Sequence, residues 1–306
     1  MPITPATTLG LTDGQFHYRG LTFGRHTRYR VTRVEGLEGH MAARLGEREI
    51  PRGDGEIPGA HYLSGKRPML TLMVVGDRAE VWPPLIEAMR VSRHRAFPLR
   101  FKVADRPERL IYARVAEAPV MLEGSAVVEH TIGLHASDPR VYSAAERQTL
   151  VPVYSADTHG YFNYDRPPHD GNYPKNADFA DPSAERVARN AGDSDAYPTV
   201  QVQAASGQID SFTLDNRTNG SQLQVDTLVQ AGQTLTVRLR EWVTMSTNTM
   251  IVELDGESRY VDWTSRPDTF FLSPGDNVLR LSVSGGDDVT CRVIWRDTWD
   301  GTITDQ

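Results

Sequence analysis

Residues 53–59 read GDGEIPG, and glycines at 53, 55, 59, 65 and 76 are spread through a segment dense in charge. Glycine-rich backbone can cradle a phosphate when its amides open a helix, whose dipole adds to the attraction. Here the apolar run MLTLMVV (69–75) follows, and the pattern fits neither G-x-x-x-x-G-K-[ST] nor a dinucleotide fingerprint. Asp54 and Glu56 could touch a cation, but an EF-hand ligand series is absent. Arg52-Gly53-Asp54 spells a cell-adhesion tripeptide, a coincidence in a chain of this composition.

The nine histidines, at 17, 26, 40, 61, 94, 130, 135, 159 and 169, never form H-E-x-x-H. His130 and His135 flank TIGL and fall on opposite pleat faces, which argues against a shared metal. His159, Asp165, His169 and Asp170 are close enough in sequence to hold a metal, with a solvated loop the better reading. Cys291 is the single cysteine, which excludes an internal disulfide and a cysteine-based zinc site. It alternates with Val289 and Val293 and reads as a small buried hydrophobe. No G-x-S-x-G elbow occurs, and no carboxylate pair stands out as an acid/base couple. Trp242, Trp263, Trp295 or Trp299 could form a sugar platform, but core packing is the default for Trp in a sandwich. Catalysis is unsupported, and no cofactor or metal is expected.

The elements behind these residues are mainly strands. RYRVTRV (28–34) reads as a strand with MAARL (41–45) as its partner. MLTLMVV is apolar on both pleat faces, which implies burial on both sides of the sheet. At PPLIEAMR, Pro83 and Pro84 suit a helix start, and Leu85, Ala88 and Met89 share one face. PLRFKV alternates with Leu99, Phe101 and Val103 inward, and RLIYARVA (109–116) and AVVEHTIGLHA (126–136) extend the pattern. Residues 151–196 are rich in Asp, Asn, Pro and Tyr without steady period, and read as a connector with one short helical turn at PSAERVAR. From Pro198 about eight short strands return, with an Asp255-Gly256 hairpin signal and a turn at SPGDN (273–277). The fold class is therefore mainly β: an amino-terminal β-rich domain with one short helix (1–150), a connector (151–196) and a carboxyl-terminal jelly-roll β-sandwich (197–306).

A chain of 306 residues accommodates two such domains. Residues 1–150 carry 21 Lys and Arg against 17 Asp and Glu, whereas the remainder carries 12 against 23, so the two halves have opposite charge balance. The basic excess is small and scattered, which does not suit a nucleic-acid binder. MPITPATTLG lacks the pattern of a secretory signal and no stretch is long enough to span a bilayer, so a soluble protein made in a cytoplasm is expected.

Taken in order, several stretches resemble the distal tail protein family of long-tailed bacteriophages, also called siphovirus tail components or minor tail proteins. They are GLEG followed by IPRGDGEIPGAHYLSGKRPMLTLMVVGD, then LIEAM, PLRFK, LIYARVAEAP and TIGLHASDPRVYS, with Asp138-Pro139 and an aromatic close behind. NAGDSDAYPTVQV, FFLSPGDNVLRLSV and VIWRDTW are similar to forms found in phages of actinobacteria. The resemblance implies a structural protein of the virion tail, assembled in the host cytoplasm. In it, a homo-hexameric ring joins the tail tube protein to the tail-tip or baseplate hub, and DNA only passes through the channel. The first domain would form the ring and the second, often galectin-like, would project sideways, with a receptor-binding protein or host glycan as a further partner. A carbohydrate-binding sandwich is the alternative function. The glycine-rich segment is then expected to carry an arm touching the neighbouring subunit, with Arg52, Gly53, Asp54, Gly55, Gly59, Tyr62, Gly65, Lys66 and Arg67 as its contact residues.

Overall fold

The computed structural model describes residues 5–37, 43–44, 48–49, 56–57, 62–92, 95–117, 128–154, 185–239, 251–258, 262–263, 270–285 and 288–300. Its first part holds β1 (Gln15–Tyr18), β2 (Leu21–Gly24), β3 (Tyr29–Glu35), β4 (Ala43–Arg44), β5 (Arg48–Glu49), β6 (Glu56–Ile57), β7 (Tyr62–Leu63), β8 (Met69–Val74), α1 (Arg78–Ala88), β9 (Phe97–Lys102), β10 (Arg109–Glu117), β11 (Val128–His135) and β12 (Val141–Ser143). One antiparallel sheet runs in the order β2-β1-β9-β10-β11-β8-β3, with β12 beside β10. Phe16, Phe23, Leu70, Leu72, Leu99, Phe101, Ile111 and Ile132 build its core, with Leu99 and Phe101 inward as their alternation requires.

Three expectations are corrected here. Helix α1 begins after Asp77, whose Oδ1 accepts from the Ala79 amide at 2.9 Å, so Pro83 and Pro84 lie inside the helix. Each proline removes an intrahelical donor, but burial of Val81, Leu85 and Ala88 on one face holds the helix on the sheet. Arg19 adds a cation at its carboxyl end, donating to Arg90 O at 2.7 Å. The second correction concerns β8: Leu70 and Leu72 are fully buried, whereas Met69 is 41% and Val75 42% exposed, so only one face is covered. Third, the partner of β3 is β8, not the 41–45 stretch, whose Ala43–Arg44 pairs instead with β7.

The second part contains β13 (Arg147–Val151), β14 (Glu185–Asn190), β15 (Thr199–Ser206), β16 (Gln208–Asn216), β17 (Ser221–Gln230), β18 (Thr234–Arg238), β19 (Ile251–Leu254), β20 (Glu257–Ser258), β21 (Asp262–Trp263), β22 (Gly275–Ser284) and β23 (Asp288–Trp295). Two sheets, β13-β23-β15-β18-β19-β20 and β14-β22-β16-β17-β21, enclose a core that includes Val200, Val202, Phe212, Leu214, Leu235, Leu281 and Val293. Asp255 and Gly256 both have positive φ, 53° and 88°, as a type I′ turn between β19 and β20 demands. The helical turn expected at PSAERVAR is corrected: Glu185–Asn190 is a strand paired with β22, because a ready sheet edge outweighs a weak local helix preference. Among the described residues no helix is long and apolar enough to cross a membrane.

Cys291 lies in this core, as its alternation with valines suggests. Burial pushes its thiol up to about 12. The folded chain is therefore expected to leave it unalkylated at about pH 8, with one thiol per chain released in denaturant. Rapid labelling of folded protein, read by mass spectrometry, would contradict the buried placement.

Candidate assembly interface

The glycine-rich segment belongs to a series of nested antiparallel pairs. β3 and β8 pair from Tyr29↔Val74 to Glu35↔Met69. Inside them lie Ala43↔Leu63 and Arg44↔Tyr62, then Arg48↔Ile57 and Glu49↔Glu56. The first pair belongs to the large sheet, while the two inner pairs form separate two-stranded sheets.

Of the contact residues expected from sequence, Arg52, Gly53, Asp54, Gly55 and Gly59 fall outside the described residues, and Tyr62 lies in β7. The other three form the root. Lys66 is buried, exchanges both backbone hydrogen bonds with Ala136 at 2.9 Å, and donates from Nζ to Leu37 O at 3.0 Å. A side chain at Gly65 would come within 2.7 Å of Ala136 O, so this glycine serves close backbone approach. Arg67 is exposed.

Beside the root opens a cleft of about 830 Å³ between β8, β10, β11 and the chain after α1. Met69, Val91 and Leu134 give it apolar surface, while Arg67, Arg114 and His135 give it positive charge. Burial and then the fields of Arg114 and Arg67 hold His135 below its ordinary value. Sequence reasoning weighed His135 only as a metal ligand, because the approach of β8, β10 and β11 is not visible in one strand's pattern.

A second contact joins the large sheet of the first part to the two-sheet second part. Strand β24 (Thr298–Trp299) leaves the sandwich and pairs with β12, matching Val141↔Trp299 and Tyr142↔Thr298. The guanidinium of Arg109 lies 3.3 Å from the centre of the Trp299 ring. Arg296 donates to Ser143 O at 2.8 Å and pairs with Glu146 at 3.0 Å, and Arg147 pairs with Asp297 at 2.8 Å. Asn190, at the end of β14, accepts from the Thr298 amide and donates to Ser194 O and Leu272 O. At the turn before β12, Tyr142 donates its hydroxyl to the Asp138 carboxylate, and burial raises the phenol well above its ordinary value.

For chemistry other than assembly, the placements are plain. His130 is buried with its ring 4.7 Å from that of Trp82, edge to face. His159, Asp165, His169 and Asp170 are outside the described residues, as are the side chains of Trp242 and Trp263. Trp295 and Trp299 are buried. Among the described residues no group of three or more His, Cys, Asp or Glu could hold a metal ion.

Residues 191–299 match the family described as siphovirus-type tail component, C-terminal domain. No curated protein matches the chain. The fold is similar to that in "Crystal Structure of SPP1 Dit (gp 19.1) Protein, a Paradigm of Hub Adsorption Apparatus in Gram-positive Infecting Phages", at 16% identity and a TM-score of 0.58, over 93% of this chain and 98% of that one. It is also similar to a chain in "Structure of the Phage P2 Baseplate in its Activated Conformation with Ca", at 7% identity and a TM-score of 0.51, over 95% and 98% of the two chains. The family match thus covers residues 191–299, and over the rest of the chain the likeness to these tail proteins is one of mainly β fold.

Proposed function

We propose that this chain is a structural subunit of a phage tail, and that identical copies close into a ring, a hexamer by its resemblance, joining the tail tube to the tail-tip or baseplate hub. The nested pairs β4/β7 and β5/β6, which form two-stranded sheets separate from the large one, carry this reading. A two-stranded ribbon with no third strand is marginal alone, so it gains most by packing on a neighbour. The large sheet also ends on two different strands, β2 and β3, and unlike surfaces that meet head to tail generate rings. The two similar structures, of a hub adsorption apparatus protein and of a baseplate, support the same setting.

The arm is tested by deleting residues 45–61 and joining Arg44 to Tyr62 through a short glycine link, which spares Lys66 and its anchor on Ala136. The shortened chain is expected to keep its circular dichroism and melting behaviour and to lose self-association by at least about tenfold in concentration, a change of about 1.4 kcal/mol or more per contact. Unchanged assembly would remove the arm from the subunit interface.

A further inference from the structure

We propose that residues 6–11 are a strap that locks the joint between the large sheet and the two-sheet second part, and that opening the strap frees that joint. The strap is held by its backbone. Both carboxylate oxygens of Glu108 accept from the Leu9 amide, at 3.1 and 3.0 Å, and Oε2 also accepts from the Leu11 amide at 3.3 Å. Arg100, on β9, donates to Thr7 O at 2.8 Å and lies 3.5 Å from Glu108 Oε1. Glu146 takes the other end of the strap: its Oε2 accepts from the Ala6 amide at 2.7 Å, and its own amide donates to Ala6 O at 2.8 Å. Hydrogen bonds to ionised carboxylates are strong and directional, so two acidic side chains suffice to hold six residues in place.

Little else holds the strap down. Residues 7–10 are exposed, Leu9 at 50%, and only Leu11 is buried. Beside it lies a cavity of about 330 Å³, lined by Thr8 of the strap, by Glu108 and Arg109, and by Asp297 and Trp299 from the other side of the joint. A segment with few buried apolar contacts opens locally at lower cost than the sheets around it. Strap and joint also share their anchors. While Oε2 of Glu146 holds Ala6, its Oε1 pairs with Arg296 Nη2 at 3.0 Å, and Arg296 donates across the joint to Ser143 O and Ala144 O. Glu108 O accepts from the Ala144 amide at 3.1 Å, and the next residue, Arg109, stacks on Trp299 of β24. Opening the strap therefore strips amide donors from Glu108, whose side chain is only 4% exposed. A buried carboxylate that loses its donors must move toward water, and the groups that grip β12 and β24 move with it.

Hydrogen exchange of the full-length protein, followed by mass spectrometry, tests the lock from both sides. Glu108→Gln keeps the shape of the anchor and removes its charge, whereas Leu9→Pro leaves every carboxylate in place and removes a donor from the strap. Each variant is expected to speed exchange within residues 6–11 at least about tenfold and within β12 and β24 at least about threefold, with β15 and β16 as in the wild type. Coupling is reciprocal, so Arg296→Gln, on the far side of Glu146, is expected to speed exchange of the strap at least about threefold as well. A faster strap with β12 and β24 unchanged would overturn the lock and leave residues 6–11 as a passive cover. Exchange that also quickens through β15 and β16 would overturn it too, since the substitutions would then be weakening the whole fold. Exchange within residues 6–11 that stays at the wild-type rate in both Glu108→Gln and Leu9→Pro would overturn the strap itself.

Discussion

Gly192→Ala is expected to pull strand β24 off β12 and the large sheet. A methyl group at residue 192 would lie 1.8 Å from Thr298 O, 2.5 Å from its carbonyl carbon and 2.6 Å from its nitrogen. All three are backbone atoms, so no side-chain rotation relieves the clash. Thr298 cannot shift alone, because its carbonyl accepts from the Ser194 amide at 3.0 Å and its amide donates to Asn190. The least costly response is to release β24, with its pairing to β12 and the stack of Trp299 on Arg109. The loss is expected to be about 2–4 kcal/mol, in the range of other mutations that break a packed backbone contact. Calorimetry should then resolve two transitions, one for each domain, where the wild type unfolds more cooperatively. Tryptophan emission should move to the red as Trp299 meets water. A single transition at the wild-type temperature would contradict this account of the domain contact.

Asn277→Ala should be nearly as damaging, for a different reason. Asn277 is fully buried at the start of β22. Its Oδ1 accepts from the Ser273 amide at 2.9 Å and from Asn216 Nδ2 at 2.8 Å. Its amide nitrogen donates among the carbonyls of Ser273 at 2.8 Å, Gly275 at 3.0 Å and Ala188 at 3.3 Å. One side chain therefore satisfies the turn SPGDN, the edge strand β14 and its buried neighbour Asn216. Truncation leaves several of these groups unpaired out of water, each at about 1–3 kcal/mol, for a total of about 3–5 kcal/mol. Asn277→Asp separates the donor's role from the acceptor's. It places a carboxyl oxygen against the carbonyls, so the carboxyl is held protonated and its folded pKa is raised. Relative to wild type, that variant should keep stability below the ordinary carboxylate range and lose it as pH rises. Denaturant unfolding at about pH 4 and pH 7 checks the sign; equal deficits at both would mean the buried network is not what the substitution disturbs.

Much of the fold was legible because it follows from periodicity. Leu99 and Phe101 face inward on β9, Cys291 is buried with Val293 on β23, and Asp255-Gly256 turns a hairpin. The expectations that were corrected depend on what lies outside the local window. Asp77 as a helix cap was passed over because two prolines in sequence looked like a start, although the burial of Val81 and Leu85 on one face extends across them. The apolar residues of MLTLMVV gave no alternation to read, and Met69 and Met73 on the outer side are as hydrophobic as the leucines they alternate with. Glu185–Asn190 is a strand because β22 offers it an edge, which only the tertiary arrangement reveals. The same holds for the assembly surface. Glycines and charge suggest an arm, but Lys66 and Gly65 are held against Leu37 and Ala136, and the cleft is made by residues more than forty positions apart in sequence, such as Met69 and Leu134. The return of Thr298-Trp299 to β12 has no local signature.

The most direct test of the central claim is the mass of the purified full-length protein in solution, measured by light scattering over a wide range of concentration. A closed assembly of identical chains is the expected result, with six copies the number implied by the resemblance to distal tail proteins and a mass that stops growing once the ring is complete. A mass of 34.1 kDa, that of one chain, at every concentration would contradict it.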